Sequence, residues 1–411
     1  MLTRRTLLRG GATAALAVTA GGLTGWPASA SPATAPAGGP DRKALQAALD
    51  RMVATGATAA LARFDGPSGR WAGAAGVARL DRPLRPRADG RFRVGSITKT
   101  FVATVTLQLV GQRRIALTDT VERWLPGALP NGAQVTVAHL LQHTSGVFNY
   151  TDTLFASMEE YLAIRYRSFT PRELVALAAA QPPLFEPGTA WSYSNTNYIL
   201  LALIVERATG RPYGHQVARR ILRPLGLRDT TIPGTALSIP GPNAHGYLPV
   251  EHDGQVDPLD ITRLNPSVAW AAGEIISTTR DLNRFYGALL RGRLLRHAEL
   301  RAMLSPHPET GYGFGIYRLD LPGGTSLWGH DGGIPGYVSL ALSTEDSRSQ
   351  LAVSVNPWIG DFGPALFDLV MIAFGGAPAP ATSAPRRLPE HGRLPLLDAG
   401  TTVLGTPSGA R

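Results

Sequence analysis

Cysteine is absent from this 411-residue chain, and lysine occurs at only two positions, Lys43 and Lys99. The lack of cysteine excludes disulfide bridges, thiol nucleophiles and thiolate metal sites together. The chain has 40 basic residues, and all of them except these two are arginine. Because arginine is used almost everywhere else, the lysine at position 99 suggests that the chemistry there requires an amine.

Long hydrophobic runs are also missing. The apolar run at 10–25 is too short and too rich in glycine and alanine to span a bilayer, so we expect no stable membrane span. The formal net charge is +10, but the charges are scattered, without a basic helix or interleaved aromatic residues. This pattern disfavours nucleic acid as a partner. The hydrophobic content of 44% is typical of a globular protein.

The two ends of the chain differ in composition from the rest. Arg4 and Arg5 precede the short apolar run, and Ala28-Ser29-Ala30 follows it, which is typical of a twin-arginine export signal. We therefore predict an export signal at 1–30, a linker at 31–40, and a protein secreted to the cell wall or the extracellular space. The alternatives for the first segment are an ordinary Sec signal or an uncleaved anchor. Residues 376–411 are rich in proline and have little to bury, so we predict a disordered tail.

Strand patterns lie towards both ends of the intervening segment, and helical patterns lie between them. The predicted strands are 58–64, 70–78, 313–320, 325–328, 338–343 and 350–355, and the predicted helices are 41–54, 96–112, 136–142, 171–180, 198–209, 283–290 and 361–374. This order predicts an α+β fold with an antiparallel sheet flanked by helices. A helical subdomain, about residues 100–263, is inserted into one catalytic domain at 41–375.

Ser96 and Lys99 form the first chemical motif, at the start of the predicted helix 96–112. Positions i and i+3 of a helix share a face, so the two side chains can meet. A serine hydroxyl is a poor nucleophile until a base removes its proton. A buried lysine of lowered pKa can act as that base, whereas arginine stays protonated. The alternative is a chance spacing on a solvated helix.

Tyr193 and Asn195 form a second motif, on a predicted loop that follows Pro187-Gly188. Side chains two residues apart on a loop can face one cleft. The phenol could then act as a base or proton relay, and the amide could bind an amide substrate. The alternative is a surface aromatic residue followed by a helix cap.

A third motif is His330-Asp331-Gly332-Gly333. Glycines allow a substrate to approach the main chain closely, and backbone N–H groups there could face a developing oxyanion. The alternative for His330 is a solvated turn histidine.

Two other kinds of site are disfavoured. His139 and His143 have a spacing that zinc sites use, but the glutamate of H-E-x-x-H is missing. G-x-S-x-G does not occur, which disfavours an α/β-hydrolase.

With the three motifs in this order, the chain resembles the penicillin-recognising serine hydrolases. These include D-alanyl-D-alanine carboxypeptidases, class C β-lactamases, and related esterases and D-aminopeptidases. The likeness covers about 41–374 and includes further landmarks at 140–146 and 271–282. It implies the β-lactamase/DD-peptidase fold, a peptidoglycan stem peptide or a small ester or amide as substrate, and β-lactams as inhibitors. It implies no metal and no cofactor.

The resemblance also assigns roles to residues. It implies that Ser96 is the acylated nucleophile and that Lys99 and Tyr193 share the acid–base work. The implied substrate contacts are Asn195, His330, Gly332, Gly333 and Trp270, although Trp270 could equally be a core aromatic residue. The backbone N–H groups of Ser96 and Gly333 would form the oxyanion hole.

Two positions depart from the carboxypeptidase pattern. Such relatives often have His-Thr-Gly-Thr where this chain has His330-Asp331-Gly332-Gly333, and an acidic Asp331 would repel a substrate carboxylate. They can also carry an arginine at the position of Tyr317, whereas strand alternation places Arg318 on the opposite face.

The likeness is closest to secreted D-alanyl-D-alanine carboxypeptidases, and that is the first functional expectation. An esterase or D-aminopeptidase of the same fold is the second. A non-catalytic penicillin-binding cell-wall protein is the alternative from another class.

Overall fold

One six-stranded antiparallel sheet organises the fold. The computed structural model describes residues 41–67, 69–155, 157–252 and 255–375. The predicted export signal, linker and tail lie outside these ranges. The described strands are β1 (Ala57–Gly66), β2 (Gly69–Gly76), β3 (Phe92–Arg93), β4 (Tyr247–His252), β5 (Gln255–Asp260), β6 (Ile276–Ser277), β7 (Tyr317–Asp320), β8 (Ser326–Ile334), β9 (Tyr337–Thr344) and β10 (Gln350–Pro357).

The strand order across the sheet is β2-β1-β10-β9-β8-β7, so strands from the two ends of the chain meet in the middle. The register places Ala60 of β1 opposite Val355 of β10. Strand β8 pairs with β7 on one side and β9 on the other. The sheet, with helices packed against it, confirms the predicted α+β class.

Thirteen α-helices are described besides the strands. They are α1 (Arg42–Ala54), α2 (Thr98–Gly111), α3 (Val121–Trp124), α4 (Val137–Gln142), α5 (Thr151–Leu154), α6 (Met158–Ile164), α7 (Pro171–Ala179), α8 (Asn195–Thr209), α9 (Tyr213–Val217), α10 (Arg223–Leu225), α11 (Thr279–Leu290), α12 (His297–Met303) and α13 (Gly363–Phe374). No helix within the described ranges is both long and apolar enough to cross a membrane.

Two hydrophobic cores lie against the sheet. The first contains α1 and α13, and α1 contributes Leu45, Ala48, Leu49 and Met52 from one helical face. The second contains α2, α8 and α11. Helix α2 is buried on nearly all sides, which explains why its sequence is apolar without a polar stripe.

The structure also differs from the predicted elements. Strand β8 continues to Ile334, beyond the strand predicted at 325–328, so the third motif lies within the strand. The block between β3 and β6 contains the hairpin β4–β5, where only helices were predicted. Pro249 and Pro258 face each other in that hairpin, and proline within a run argues against a strand in sequence-based reasoning.

Candidate active site

The Ser96 hydroxyl lies on a short 3-10 turn, Gly95–Ile97, which leads directly into α2. Gly95 has a φ of +52° and lies against β8. A Cβ added there would stand 2.7 Å from the Gly333 nitrogen, so only glycine allows the strand to pass this close. The turn and the strand together place Ser96 beside the third motif.

Lys99 is completely buried, and its Nζ lies 3.0 Å from the Ser96 Oγ. The same nitrogen lies 2.7 Å from the Asn195 Oδ1 and 2.7 Å from the Ala272 carbonyl oxygen. Burial lowers the pKa of Lys99 well below its usual value, and the charge of Asp331 opposes this only in part. A neutral amine donates its two hydrogens to the two carbonyl oxygens, which leaves its lone pair for the Ser96 hydroxyl.

Tyr193 joins this pair from the second motif. The Lys99 Nζ lies 4.9 Å from the centre of the Tyr193 ring. Burial raises the pKa of the Tyr193 phenol well above 10, while a hydrogen bond with Ser96 lowers it. The phenol therefore keeps its proton at neutral pH, which suits a proton donor better than a first base.

Asn195 is the first residue of α8, and its side chain is engaged inside the protein. Its Oδ1 accepts from Lys99, and its Nδ2 donates to the Thr151 Oγ1 at 3.3 Å. This arrangement fixes the lysine amine. Contact between Asn195 and a substrate amide stays a prediction.

His330 is buried, not the solvated turn histidine of the alternative. Its Nε2 lies 2.9 Å from the Tyr312 hydroxyl, and its Nδ1 lies 2.6 Å from the Asp331 carbonyl oxygen. Gly332 packs tightly, since a Cβ there would lie 2.0 Å from the Val94 oxygen and 3.0 Å from the Ser96 nitrogen. The main chains of the first and third motifs therefore lie close together, and the oxyanion hole formed by the N–H groups of Ser96 and Gly333 stays a prediction.

A pocket opens in front of Ser96, and Asn195 and Gly333 contribute to its wall. Most of the remaining wall is apolar or aromatic and includes Tyr150, Phe155, Tyr161, Leu264, Val268 and Ile334. Trp270 is not part of this lining, although its neighbour Ala269 is. Its indole packs edge-on against Tyr213, with ring centres 4.8 Å apart. A substrate contact for Trp270 stays a prediction.

The two departures from the carboxypeptidase pattern lie close to the third motif. Tyr317 is buried, with its ring centre 5.7 Å from that of His330. Arg318 points to the opposite, exposed face, where its Nε donates to Asp320 at 2.9 Å. Asp331 has a side chain that is 14% exposed. Its charge partly offsets the lowering of the Lys99 pKa by burial and adds to the raising of the Tyr193 pKa.

His143 is a residue whose role the sequence did not reveal. It ends α4 in the left-handed conformation with a φ of +63°, and its Nδ1 accepts from the Ser194 N–H at 3.2 Å. Its ring lies 4.2 Å from the Tyr193 ring. His143 therefore positions the second motif, while His139 serves in the capping box that starts α4. The only sequence feature that marked His143 for a role at this site was the family landmark at 140–146, which contains it.

Glu274 anchors the segment that carries the Ala272 carbonyl. It is buried, and it accepts hydrogen bonds from the Tyr213 hydroxyl and from the Gly234 N–H. Desolvation raises the pKa of this carboxyl from 4.5 to about 7. The folded protein therefore holds this proton over a pH range in which the unfolded chain has already released it.

Glu274→Gln should remove a pH-dependent loss of stability. As the pH rises from 4.5 to about 7, the free energy of unfolding falls by up to about 3 kcal/mol because of this one group. Glutamine stays neutral, so the variant should gain stability relative to wild type between pH 5 and pH 8. Urea unfolding of wild type and variant at pH 5 and at pH 8 measures the free energy of unfolding of each protein. The exposed Glu309→Gln is the control, and equal pH dependence in all three proteins would contradict this account.

Comparison with known proteins finds a family match and solved hydrolases of similar fold. A model of the beta-lactamase family matches residues 45–369. The structure is similar to a D-stereospecific amidohydrolase from Streptomyces sp., with 43% identity and a TM-score of 0.75, covering 82% of this chain and 100% of that one. It is also similar to a D-amino acid amidase from Ochrobactrum anthropi, with 30% identity and a TM-score of 0.71, covering 80% and 97%.

A curated relative, penicillin-binding protein 4* of Bacillus subtilis, is 32% identical over 285 residues. That match covers 66% of this chain but only 61% of the relative, so the chain spans about three-fifths of the length of that protein. Since the family model matches most of the described catalytic segment, with the three motifs gathered around one pocket, the chain belongs to the beta-lactamase family.

Proposed function

We propose that this protein is a serine amidohydrolase that forms an acyl-enzyme on Ser96 and cleaves amides and short peptides of D-amino acids. The observation that carries the proposal is the contact between Ser96 and a fully buried amine, 3.0 Å from the hydroxyl and bonded to two carbonyl oxygens. That arrangement supplies a nucleophile together with a base whose pKa is lowered by burial.

In the proposed reaction, Lys99 takes the Ser96 proton as Oγ attacks the substrate carbonyl carbon. The oxyanion that forms faces the N–H groups of Ser96 and Gly333. Tyr193 gives its proton to the leaving nitrogen as the C–N bond breaks, and it regains a proton from Lys99. Water then attacks the acyl-enzyme with the same groups in reverse order, releasing the acid and restoring the serine.

Asp331 and Tyr317 favour a substrate with a free amine over one with a terminal carboxylate. Asp331 places a negative charge close enough to act on Lys99 and Tyr193. Tyr317 stands where a carboxylate-binding arginine would be expected, and Arg318 points away. The likeness to a D-amino acid amidase and to a D-stereospecific amidohydrolase supports the same preference.

A D-alanyl-D-alanine carboxypeptidase is the second candidate, supported by the likeness to penicillin-binding protein 4*. It would act on peptidoglycan stem peptides and would be acylated by β-lactams.

Export by the twin-arginine route also stays a proposal, supported by Arg4, Arg5 and Ala28-Ser29-Ala30. Sequencing the N-terminus of protein recovered from the culture medium tests it, and a start after Ala30 is expected.

A panel of four substrates distinguishes the candidates: a D-amino acid amide, its L-enantiomer, an N-acylated D-Ala–D-Ala peptide, and a short-chain aryl ester. Fastest turnover of the D-amide supports the proposal. Fastest turnover of the acylated peptide supports the carboxypeptidase, and turnover of the ester alone supports an esterase. Labelling of Ser96 by a fluorescent penicillin without turnover of any substrate would identify the non-catalytic alternative.

Asp331→Asn should shift this preference without changing the size of the side chain. Because Asp331 also acts on Lys99 and Tyr193, the effect on selectivity is measured relative to the ester. On that scale, losing the negative charge should lower kcat/KM for the D-amide by roughly fivefold and raise it for the acylated peptide by a similar factor, which corresponds to about 1 kcal/mol. The short-chain aryl ester is the internal control, because it has neither a free amine nor a terminal carboxylate. A parallel change for all three substrates would contradict a charge-selecting role.

A further inference from the structure

A second cavity, of about 360 Å³, lies at the turn between β1 and β2 and along α11. It shares no lining residue with the pocket in front of Ser96. Five arginines line it, namely Arg63, Arg70, Arg280, Arg284 and Arg291, together with a single acidic residue, Asp65. The reaction proposed above uses none of these side chains.

Only part of this positive charge is neutralised within the protein. Asp65 is held by Arg63, with two contacts of 2.8 Å, and more loosely by Arg70 at 3.6 Å. Arg280 pairs with Asp229, which also binds Arg91. Among the residues that the structure describes, Arg284 and Arg291 have no acidic partner. The cavity therefore has a clear excess of guanidinium groups.

Asn283 adds a second, independent feature. This buried residue also lines the cavity, and its Nδ2 donates to the Arg63 carbonyl oxygen at 3.1 Å and to the Asp65 Oδ2 at 2.9 Å. Its Oδ1 is buried and has no hydrogen-bond partner in the described part of the chain. A buried acceptor without a partner calls for an explanation, and a hydroxyl donor from a ligand provides one.

We propose that this cavity binds the phosphate group of a phosphorylated polyol. A guanidinium group presents a planar fork of donors that matches phosphate oxygens in pairs. Arg63 and Arg280, which are fixed by their carboxylate partners, form the rigid wall. Arg70 and Arg284 are exposed, and their guanidinium groups can move to bind the phosphate oxygens. The Asn283 Oδ1 accepts a hydrogen bond from a neighbouring hydroxyl of the ligand.

Calorimetric titration of the full chain with glycerol 3-phosphate, inorganic phosphate and glycerol, at low ionic strength, tests this proposal. Arg70→Gln/Arg284→Gln removes two exposed guanidinium groups that have at most one weak contact. Arg172→Gln/Arg301→Gln removes the same charge from two exposed arginines outside the cavity. We expect saturable binding of glycerol 3-phosphate that the first double variant weakens at least about tenfold and the control leaves nearly unchanged.

No saturable binding to the wild-type protein, or an equal loss in both double variants, would overturn the proposal. Equal affinity for inorganic phosphate and glycerol 3-phosphate would overturn the part assigned to Asn283. Hydrolysis of the D-amide should be unaffected by either double variant, so failure of this proposal and failure of the proposed hydrolase are distinguishable.

Discussion

Replacing Ser96 with alanine should lower kcat for D-amide hydrolysis by about 10⁴-fold or more, since loss of a serine nucleophile has effects of this size or larger in serine hydrolases. The hydroxyl is the atom that Lys99 contacts at 3.0 Å and that the substrate carbonyl would acylate. Removing one oxygen leaves the 3-10 turn and its close packing against β8 in place. Purified wild type and variant, compared under saturating substrate, measure the effect.

Ser305→Ala is the matched control, because this serine is exposed and belongs neither to the three motifs nor to the pocket lining. It should retain wild-type kcat. Thermal unfolding should show similar midpoints for all three proteins. A low kcat of Ser96→Ala then results from the missing hydroxyl and not from an unfolded protein. A Ser96→Ala protein that folds and keeps more than a tenth of the activity would rule out the serine as nucleophile.

Lys99→Arg should be almost as damaging, by about 10³-fold or more in kcat/KM, although it keeps a basic side chain in place. Guanidinium stays protonated at every pH the protein tolerates, so it cannot accept the Ser96 proton. It would also bury a charge at a position where the native amine is completely enclosed and of lowered pKa, which costs several kcal/mol of stability. Kinetics and thermal unfolding should therefore both show a loss.

The chain provides an unusually direct control, because its other lysine, Lys43, is exposed on α1. Lys43→Arg should leave kinetics and stability unchanged. In the wild-type protein, kcat/KM should rise with pH through the lowered pKa of Lys99 and reach its plateau well below pH 10.5, the ordinary value for lysine. An active Lys99→Arg variant, or a rise centred on the ordinary lysine pKa, would contradict the role of the amine as base.

Much of this site could be predicted because its parts are local in sequence. Ser96 and Lys99 are three residues apart at the start of a helix, so their contact follows from helical geometry alone. Tyr193 and Asn195 are likewise fixed by one short stretch that enters α8. The six-stranded sheet could be predicted because strand patterns occur at both ends of the chain.

The contacts that the sequence did not reveal join distant segments. The contact between the Asn195 amide oxygen and the Lys99 amine is one example, because no local pattern indicates a contact across 96 positions. His143 was considered as a metal ligand because of its spacing from His139, whereas it supports the main chain of Ser194. The residue pattern alone ends the predicted strand at 328, because the glycines that follow weaken any strand pattern, whereas β8 continues to Ile334.

The most direct test of the central claim is to trap the acyl-enzyme. The protein is mixed with an aryl ester of a D-amino acid, quenched in acid within the first turnover, digested and mapped by mass spectrometry. The mechanism predicts an added acyl mass on the peptide that contains Ser96, and its absence from Ser96→Ala. Turnover without any acyl adduct, or an adduct on a different residue, would contradict it.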